Sequence, residues 1–368
     1  MLTPAPGAKF RPPDATLSVV LPNYNHAKLI GRAFAALQAQ ASPPTEVVVI
    51  DDASTDESLR IIEDLAARWP VVRVVANTEN QGTIAALARG LDACSGKYVY
   101  FAAADDWIEP GFFSSAIDML ERHPQAGLFC GEADLVDGQT GRKLGTRPVV
   151  RPAGHPHFFT PSDVASLFRI SDNWILTGSA LFRRDRVLDA GGFSSDLGSF
   201  ADGYLARKIA LRHGFCFAPT VVATWSIFDK GVSRAMAADA TRAALTMDRA
   251  LARIAADSTF PHWYSRLCDR RWRFAISRLA VIAKPMNRPV LLRLGVRSRF
   301  GRTILDAISL LRLESMARPL LLGWLWLQFR PMSLWALSRT SFARYRERRN
   351  KAGPERAAQP PEQSGQAA

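Results

Sequence analysis

Short apolar runs alternate with segments of helical periodicity along the first third of the chain. The first run, Leu17 to Leu21, is followed by apolar positions at helical spacing from Ile30 to Leu37. The pattern then repeats, which predicts strands at 46–50, 71–76 and 98–102 and helices at 54–69, 83–93 and 111–122. Ser54 and Glu57 predict a capping box for the second helix. This alternation predicts a mainly parallel sheet with helices on both faces.

After residue 126 the segments become shorter and the alternation loosens. Turn dipeptides at 137–138 and 140–141 predict a hairpin. The residues that follow predict a strand at 177–182, a short helix at 183–190, a sharp turn at 191–193 and a helix at 204–213. Asp202 comes just before that last helix, where an N-cap role and a chemical role are both open.

Polar side chains follow each of the four predicted parallel strands. They are Asn23, Tyr24 and Asn25 after the first strand, Asp51 and Asp52 after the second, residues 77–82 after the third, and Asp105 and Asp106 after the fourth. Ligands of such sheets bind beyond the carboxyl ends of the strands. The first loop, 22–26, has no glycine, and the chain has no P-loop, so a dinucleotide fingerprint and a glycine nest for phosphate are both excluded.

Two adjacent carboxylates, Asp105 and Asp106, come directly after the apolar run from Tyr98 to Ala104. Ionised like charges at the edge of an apolar core repel each other unless a cation or hydrogen-bond donors lie beside them. A divalent metal ion would remove that repulsion. The alternative is that one carboxylate caps a helix whose start is indicated by Pro110. This stretch alone leaves both interpretations open.

Net charge changes sign along the chain. The whole chain has a formal net charge of +13, yet residues 230–368 alone carry 26 basic residues against nine acidic ones. The remainder is slightly acidic, which indicates two units with different partners. The four cysteines lie far apart, which argues against a zinc site or a disulfide framework and fits a reducing compartment. The Pro-rich start has no apolar segment of the kind found in secretory signals.

The C-terminal third predicts several helices. The apolar run from Pro319 to Ser338 is almost long enough to span a membrane, but Gln328, Arg330 and Pro331 interrupt it. The run contains Trp324, Trp326 and Trp335, and Arg344, Arg346, Arg348 and Arg349 follow it. This composition favours a helix that lies on an anionic membrane surface, with a core-packing helix as the alternative. No nucleic acid is expected, because the aromatic residues cluster with aliphatic ones rather than with the basic residues.

Six segments together resemble the motifs of the family 2 glycosyltransferases. They are SVVLPNYNH (18–26), EVVVIDDASTD (46–56), NQG (80–82), GKYVYFAAADDW (96–107), TGSALFRRDRVLDAGGF (177–193) and ADGYLARKIALRHG (201–214). The family consists of inverting enzymes with the GT-A fold, and the resemblance extends from about Leu17 to Trp225. It implies an α/β fold in which helices flank a nucleotide-sugar-binding sheet, here followed by a helical C-terminal region.

The resemblance also implies the residues that bind the nucleotide sugar. Those on the nucleotide side are Pro22, Tyr24 and Asn25 against base and ribose, Asp51 and Asp52 near the base, and Asn80 and Gly82 in the next loop. Tyr24 is the expected stacking partner of the base. The family usually has an Arg-Asn pair further on, where this chain has Leu87-Ala88.

The remaining site residues surround the reaction centre. Asp105 and Asp106 match the family's DxD element, whose first Asp is replaced by Ala103, and this implies one Mg²⁺ or Mn²⁺ held with the diphosphate. Asp202 matches the catalytic base, although Ala201 replaces the Glu that usually precedes it. Thr177 and Gly178 match the segment beneath the transferred sugar, and 191–193 the turn before the acceptor site. The Q-x-x-R-W signature of processive members is absent.

These observations predict an inverting, non-processive, metal-dependent glycosyltransferase that moves a sugar from a nucleoside-diphosphate sugar to a glycan or lipid-linked acceptor, in cell-surface polysaccharide synthesis. We expect a disordered leader at 1–16, a GT-A domain at 17–229, a basic helical region at 230–350 that contacts an anionic membrane through 318–349, and a disordered tail at 351–368. The expected location is the cytoplasm, at the inner face of the membrane. The alternatives are a catalytically impaired nucleotide-sugar-binding or scaffolding relative and a nucleotidyltransferase.

Overall fold

A computed structural model of the chain describes residues 16–174, 177–228, 238–296, 298–310 and 314–352. The predicted leader before residue 16 and the predicted tail from residue 353 onward lie outside these ranges. The described residues form a mixed α/β structure, followed by helices from residue 240 onward. This agrees with the fold class predicted from the sequence.

The strands form one sheet. They are β1 (Leu17–Asn23), β2 (Glu46–Asp51), β3 (Val72–Ala76), β4 (Tyr98–Phe101), β5 (Trp107–Ile108), β6 (Leu128–Asp137), β7 (Lys143–Arg147), β8 (His157–Phe159), β9 (Ala180–Arg183) and β10 (Phe215–Ile227). Their order is β3-β2-β1-β4-β9-β6-β10-β5, with β7 paired to β6 and β8 to β10. The predicted hairpin at 137–141 is confirmed as the β6-β7 connection.

The helices cover both faces of this sheet and the C-terminal third. They are α1 (Ile30–Gln38), α2 (Ser58–Arg68), α3 (Thr83–Ala93), α4 (Phe112–Arg122), α5 (Pro161–Ile170), α6 (Arg184–Asp189), α7 (Ala201–His213), α8 (Ala240–Ala256), α9 (Tyr264–Ile282), α10 (Arg299–Leu310), α11 (Glu314–Phe329) and α12 (Leu334–Ala352). Short 3₁₀ turns lie at Thr177–Ser179 and Ser195–Phe200, and a helical turn at Arg288–Val290 leads into a π-helical turn at Leu291–Gly295.

The sheet is parallel on one side and mixed on the other. β3, β2, β1 and β4 run parallel, as the alternation predicts. The prediction of a mainly parallel sheet is wrong for the other side, because β9 lies antiparallel between β4 and β6. β10 again runs parallel to β6. The carboxyl ends of β1, β2, β6 and β10 thus lie at one edge of the sheet.

Alternating residues of the strands pack into two separate apolar cores. Val19, Val47 and their like-facing neighbours pack with α1, α2 and α4. Val20, Val48 and the residues facing with them pack with α3, α5 and α7. Helices α8 and α9 also belong to the second core, which includes Phe260 and Tyr264. A third core holds α8 and α9 against the helices that follow them.

The C-terminal apolar run divides into two helices where the sequence predicts an interruption. α11 ends at Phe329 and α12 begins at Leu334, with Arg330 between them at a φ of 43°. The side chain of Arg271 on α9 donates a hydrogen bond to the carbonyl of Pro331 at this break. Among the helices that the structure describes, none is both long and apolar enough to cross a membrane.

Two local predictions are wrong. Helix α2 begins at Ser58 after Glu57 and has no side-chain cap, so Ser54 and Glu57 form no capping box. Instead, the Ser54 hydroxyl donates to the carboxylate of Asp51 at 2.6 Å. Residues 177–179 form a 3₁₀ turn rather than the start of a strand, so β9 begins only at Ala180.

Candidate active site

The carboxylate of Asp51 is buried at the end of β2 and is bound entirely by neighbouring protein groups. Its Oδ1 accepts hydrogen bonds from Asn23 Nδ2 at 2.8 Å and from the Ser54 hydroxyl at 2.6 Å. Its Oδ2 accepts the backbone N–H of Ser54 at 3.0 Å. Asp51 therefore ties the loop after β1 to the loop after β2.

Asp52 makes the same kind of connection toward the loop after β3. Its Oδ1 accepts from Asn77 Nδ2 at 2.7 Å and from the N–H of Gln81 at 3.0 Å. Its Oδ2 accepts the N–H of Gly82 at 2.7 Å. Gly82 has a φ of +89°, a conformation that glycine adopts without a steric penalty, and it begins α3. Asp52 and Gly82, which the sequence predicts to lie on the nucleotide side, are thus brought together, with Asn80 accepting a further hydrogen bond from Gly82.

The first loop presents Tyr24 to solvent above this carboxylate framework. Tyr24 is 42% exposed, while Asn23 before it is buried. Asn25 adopts a positive φ of 57°, and its side-chain oxygen accepts the N–H of Thr55 at 2.7 Å. Asn25 therefore holds the loop in place, and Tyr24 is left with a free ring face. Pro22 is the penultimate residue of β1 and pairs with Ile50 of β2.

The acidic pair follows β4 and is held by the end of β10. Ser226 donates its backbone N–H to Oδ1 of Asp106 at 2.7 Å and its hydroxyl to the carbonyl of Asp105 at 2.7 Å. Arg32 on α1 donates to the same Asp105 carbonyl at 2.7 Å, and its guanidinium stacks on Trp107 at 4.0 Å. The helix-cap alternative is wrong, since α4 begins at Phe112 with Gly111 in the cap position.

The residues of the acidic pair fit a hard divalent cation. Burial and the neighbouring charge of Asp105 raise the pKa of Asp106 to about 8, so ionising both carboxylates together is unfavourable without a cation. Within the described residues, no donor is bonded to the Asp105 carboxylate and only Ser226 is bonded to that of Asp106. Oxygen atoms of this kind suit Mg²⁺ and Mn²⁺. No cluster of three or more His, Cys, Asp and Glu occurs in the described part of the chain, so other ligands would be diphosphate and water.

The segment at Thr177 and Gly178 lies between β4 and β10. Tyr100 donates its hydroxyl to the carbonyl of Gly178 at 3.0 Å. On the other side, the indole of Trp225 packs on Gly178 so closely that a Cβ there would lie 2.9 Å from Nε1. Any side chain at position 178 would therefore collide with this ring.

Asp202 lies in the first turn of α7, with Phe200 in the N-cap position, so the N-cap alternative is wrong. Its Oδ1 accepts the N–H of Gly203 at 2.6 Å, and its Oδ2 accepts the hydroxyl of Thr177 at 3.3 Å. Burial raises the pKa of the Asp202 carboxyl, although these two hydrogen bonds and the charge of Arg207 act in the opposite direction. The carboxylate thus retains basicity above that of an ordinary aspartate.

A continuous line of contacts joins the acidic pair to Asp202. Asp106 is bonded to Ser226, and the adjacent Trp225 packs on Gly178. Thr177, next to Gly178, is bonded to Asp202. Two carboxylate groups that are far apart in the sequence are therefore linked through a short series of contacts.

Sequence reasoning missed several residues that build this region. They are Arg32, Tyr100, Trp225 and Ser226. Arg32 and Ser226 had none, because their partners lie 73 and 121 residues away in the chain.

Comparisons with known proteins agree with this architecture. The family model described as glycosyl transferase family 2 matches residues 18–181. An uncharacterized protein of Mycobacterium tuberculosis is 31% identical over 176 residues, which is 47% of this chain and 48% of that protein. The chain thus spans about half the length of the first curated relatives that it matches.

Two solved structures share the fold. TarS 1–349 of S. aureus in complex with UDP-GlcNAc has a TM-score of 0.57 at 18% identity, covering 76% of this chain and 80% of that chain. A mannosyltransferase from Pyrobaculum calidifontis in complex with GDP-Man and Mn²⁺ has a TM-score of 0.54 at 22% identity, covering 87% of each chain. At these identities the likeness shows the fold alone. Residues 18–181 therefore match the model of glycosyl transferase family 2, and the described residues share the fold of these two glycosyltransferase structures.

Proposed function

We propose that the protein transfers one sugar, with inversion, from a nucleoside-diphosphate sugar to a hydroxyl group of a glycan or lipid-linked acceptor. The observation that carries this proposal is the line of contacts from Asp106 through Ser226, Trp225 and Gly178 to the neighbourhood of Asp202. The carboxylate pair and the separate carboxylate of Asp202 are joined by this line of contacts, along which donor and acceptor would meet. Inverting transfer requires charge stabilisation on one side and a base on the other.

In the proposed reaction, Asp202 accepts the proton of the acceptor hydroxyl. The acceptor oxygen attacks the anomeric carbon, the bond from that carbon to the diphosphate breaks, and the electron pair leaves with the nucleoside diphosphate. Asp105 and Asp106 would hold Mg²⁺ or Mn²⁺, which supplies positive charge to the leaving diphosphate. Thr177 keeps the Asp202 carboxylate oriented, and the exposed ring of Tyr24 offers a stacking surface to the base.

The test is a screen of UDP-, GDP- and dTDP-sugars with Mn²⁺ for release of free nucleoside diphosphate. A competent enzyme releases it slowly with water as acceptor, and the Asp202→Asn variant serves as the matched control. Binding of a nucleotide sugar, seen as thermal stabilisation without any release, would instead identify a catalytically impaired relative. Ala103, Ala201 and Leu87 favour that second candidate, since each replaces a polar family residue.

Nucleotidyl transfer is the less favoured chemistry, because the loop at 22–26 lacks the glycines and the basic residue such enzymes place there. The same assay separates it. Release of pyrophosphate from a nucleoside triphosphate and a sugar phosphate would support nucleotidyl transfer and contradict glycosyl transfer.

We also propose that the protein works in the cytoplasm at the inner face of the membrane and contacts anionic lipid through 318–349, in support of cell-surface polysaccharide synthesis. On α11, Leu320 and Leu327 are 77% and 69% exposed on one helical face. On α12, Trp335 and Phe342 are 71% and 64% exposed and alternate with arginines on the same face. Apolar side chains beside basic ones suit an anionic lipid surface.

Flotation with vesicles that contain anionic lipid, against neutral vesicles, tests this surface. The double variant Leu320→Ser and Leu327→Ser, and separately Trp335→Ser, should reduce flotation on anionic vesicles. Leu188→Ser is the matched control, because Leu188 is also exposed, at 43%, but lies on α6. Equal flotation of all variants would contradict the membrane proposal. Trp324 on α11 is not used in this test, because it is half-buried against Gly301 of α10.

A further inference from the structure

Arg207 lies over the first turn of α7, one helical turn after Gly203, the residue that follows Asp202. A Cβ at Gly203 would lie 2.4 Å from Nη1 of Arg207, so the guanidinium folds back onto the glycine that follows Asp202. The N–H of that same glycine donates to Oδ1 of Asp202 at 2.6 Å. Residues i and i+4 of a helix are neighbours on its surface, and here the missing side chain at Gly203 admits the guanidinium.

A buried aspartate on a different segment fixes this guanidinium. Arg207 donates from Nη2 to the carbonyl of Asp172 at 2.9 Å, and its Nε lies 3.5 Å from the Asp172 carboxylate. Asp172 itself is only 5% exposed. The guanidinium is therefore held between the turn that carries Asp202 and the segment that follows α5.

Helix α9 completes the arrangement from behind. Tyr264 donates its hydroxyl to Oδ2 of Asp172 at 2.6 Å, and Nη1 of Arg271 lies 3.0 Å from Oδ1. Burial alone would raise the pKa of Asp172, but the charges of Arg207 and Arg271 outweigh burial and hold that pKa below its usual value. Asp172 thus stays ionised and can hold both arginines.

We propose that Arg207, anchored by Asp172, is a positioning residue for the catalytic base: its guanidinium packs on Gly203, whose N–H binds the Asp202 carboxylate, and holds a positive charge beside the turn that carries this buried group. This inference rests on the proposed function, in which Asp202 is the base. Asp172 acts one contact further away, since it holds the guanidinium rather than the base, and Arg271 in turn binds Asp172. Helix α9 of the C-terminal region is thereby part of the apparatus for transfer.

The charged and polar groups around Asp202 determine the direction in which its pKa changes when Arg207 is substituted. Thr177 faces it from the 3₁₀ turn, Arg207 from its own helix, and Asp172, Tyr264, Cys268 and Arg271 surround Arg207 on the far side. The positive charge of Arg207 lowers the pKa of Asp202 and partly offsets burial, which raises it. Removal of that charge leaves only the hydrogen bonds from Gly203 and Thr177 to oppose burial, so the base should be protonated at a higher pH.

The test is the pH profile of nucleoside diphosphate release by the full chain. In Arg207→Gln, the acidic limb of kcat should move upward by about one pH unit, in line with the effect of a nearby opposite charge. Arg212→Gln is the matched control, since Arg212 lies on the same helix in an exposed pair with Asp189. Its profile should match that of the unmodified protein. An unchanged acidic limb in a folded Arg207→Gln protein would overturn the proposal.

A second variant covers the case in which Arg207→Gln does not fold. Gly203→Ala keeps every charge, favours the helix through its higher intrinsic propensity, and forces the flexible end of Arg207 away from position 203. The acidic limb should again move upward, by less than in Arg207→Gln. An unmoved limb in this variant would count against the proposal. If Asp202→Asn retained full activity, the proposed function itself would fail. If Asp202→Asn were inactive but the acidic limbs of Arg207→Gln and Gly203→Ala stayed in place, only this inference would be refuted.

Discussion

Ser226 donates its backbone N–H to Oδ1 of Asp106 at 2.7 Å, which fixes the acidic pair to the end of the sheet's longest strand. The serine hydroxyl reaches the Asp105 carbonyl as well, so the backbone on both sides of the pair is held. The Asp105 carboxylate is left without a donor from the described residues. One carboxylate is thus anchored and the other is open to a ligand.

Substitution of either acid should weaken nucleotide binding only when metal is present. For Asp105→Asn and for Asp106→Asn we expect a Kd for nucleoside diphosphate with Mn²⁺ that is at least about tenfold higher, because each loses a charged ligand. Titration calorimetry with and without EDTA measures this. Asp118→Asn, an exposed acid on α4, is the control. Identical Kd values for the native protein in Mn²⁺ and in EDTA would refute the metal site.

Asp202→Asn should reduce turnover by roughly 10²–10⁴-fold, the usual contribution of a general base. Binding of the nucleotide should change little, since Asp202 contacts Thr177 and Gly203 rather than the loops after β1 to β3. Steady-state kinetics combined with calorimetry separate the two effects. A variant with full turnover would exclude Asp202 as the base.

The activity of the unmodified protein should fall on the acidic side at a pH above the ordinary range of an aspartate. Burial raises the pKa of Asp202, and a base must be ionised to accept a proton, so activity is lost as pH falls through that raised pKa. An unperturbed aspartate would place the limb near pH 4. A profile of kcat from pH 4 to pH 8 decides between these values, and a limb at the unperturbed position would contradict the assignment.

Gly178→Ala should disturb both packing and transfer. The added methyl would lie 2.9 Å from Nε1 and 3.3 Å from Cε2 of the Trp225 indole, so ring or backbone must shift. Such overpacking typically costs about 1–3 kcal/mol. Thermal unfolding and nucleoside diphosphate release measure the loss. The double variant Gly178→Ala with Trp225→Phe has a smaller ring and should recover part of the stability and part of the release. A Gly178→Ala protein as stable as the unmodified one would show that the contact with Trp225 does not restrict position 178.

Glu132→Gln should loosen α12 from the sheet. Glu132 is 2% exposed on β6, and its carboxylate binds Arg151 at 2.7 Å and also Arg344 of α12. Loss of its charge leaves the Arg344 guanidinium without a carboxylate partner among the described residues and Arg151 with Glu347 alone, which should cost about 3 kcal/mol of unfolding free energy. Denaturant unfolding tests this value. Glu57→Gln, in an exposed pair with Arg60, should change stability by less than about 0.5 kcal/mol.

The sequence predicts the parallel strands β1 to β4 and the acids that follow them well, because these signals are local. Asp51 and Asp52 lie at the end of β2 and Asp105 follows β4, and the periodicity of both strands is read directly from neighbouring residues. The other half depends on pairings between distant segments, such as β10 with β6 and Ser226 with Asp106. No local pattern specifies those contacts. Ser54 shows a further limit, because a serine near the start of a helix can either cap the helix or bind a carboxylate in the adjoining loop. Here its hydroxyl donates to Asp51.

The apolar cores on the two faces of the sheet draw on different parts of the chain. The face that packs with α1, α2 and α4 draws on residues no later than Trp225, so it can close before the C-terminal helices have been synthesised. The opposite face needs Phe260, Tyr264 and Cys268. Until α9 leaves the ribosome, that face exposes apolar surface of the kind that chaperones hold. In a fragment that ends near residue 229, this apolar face would stay exposed permanently.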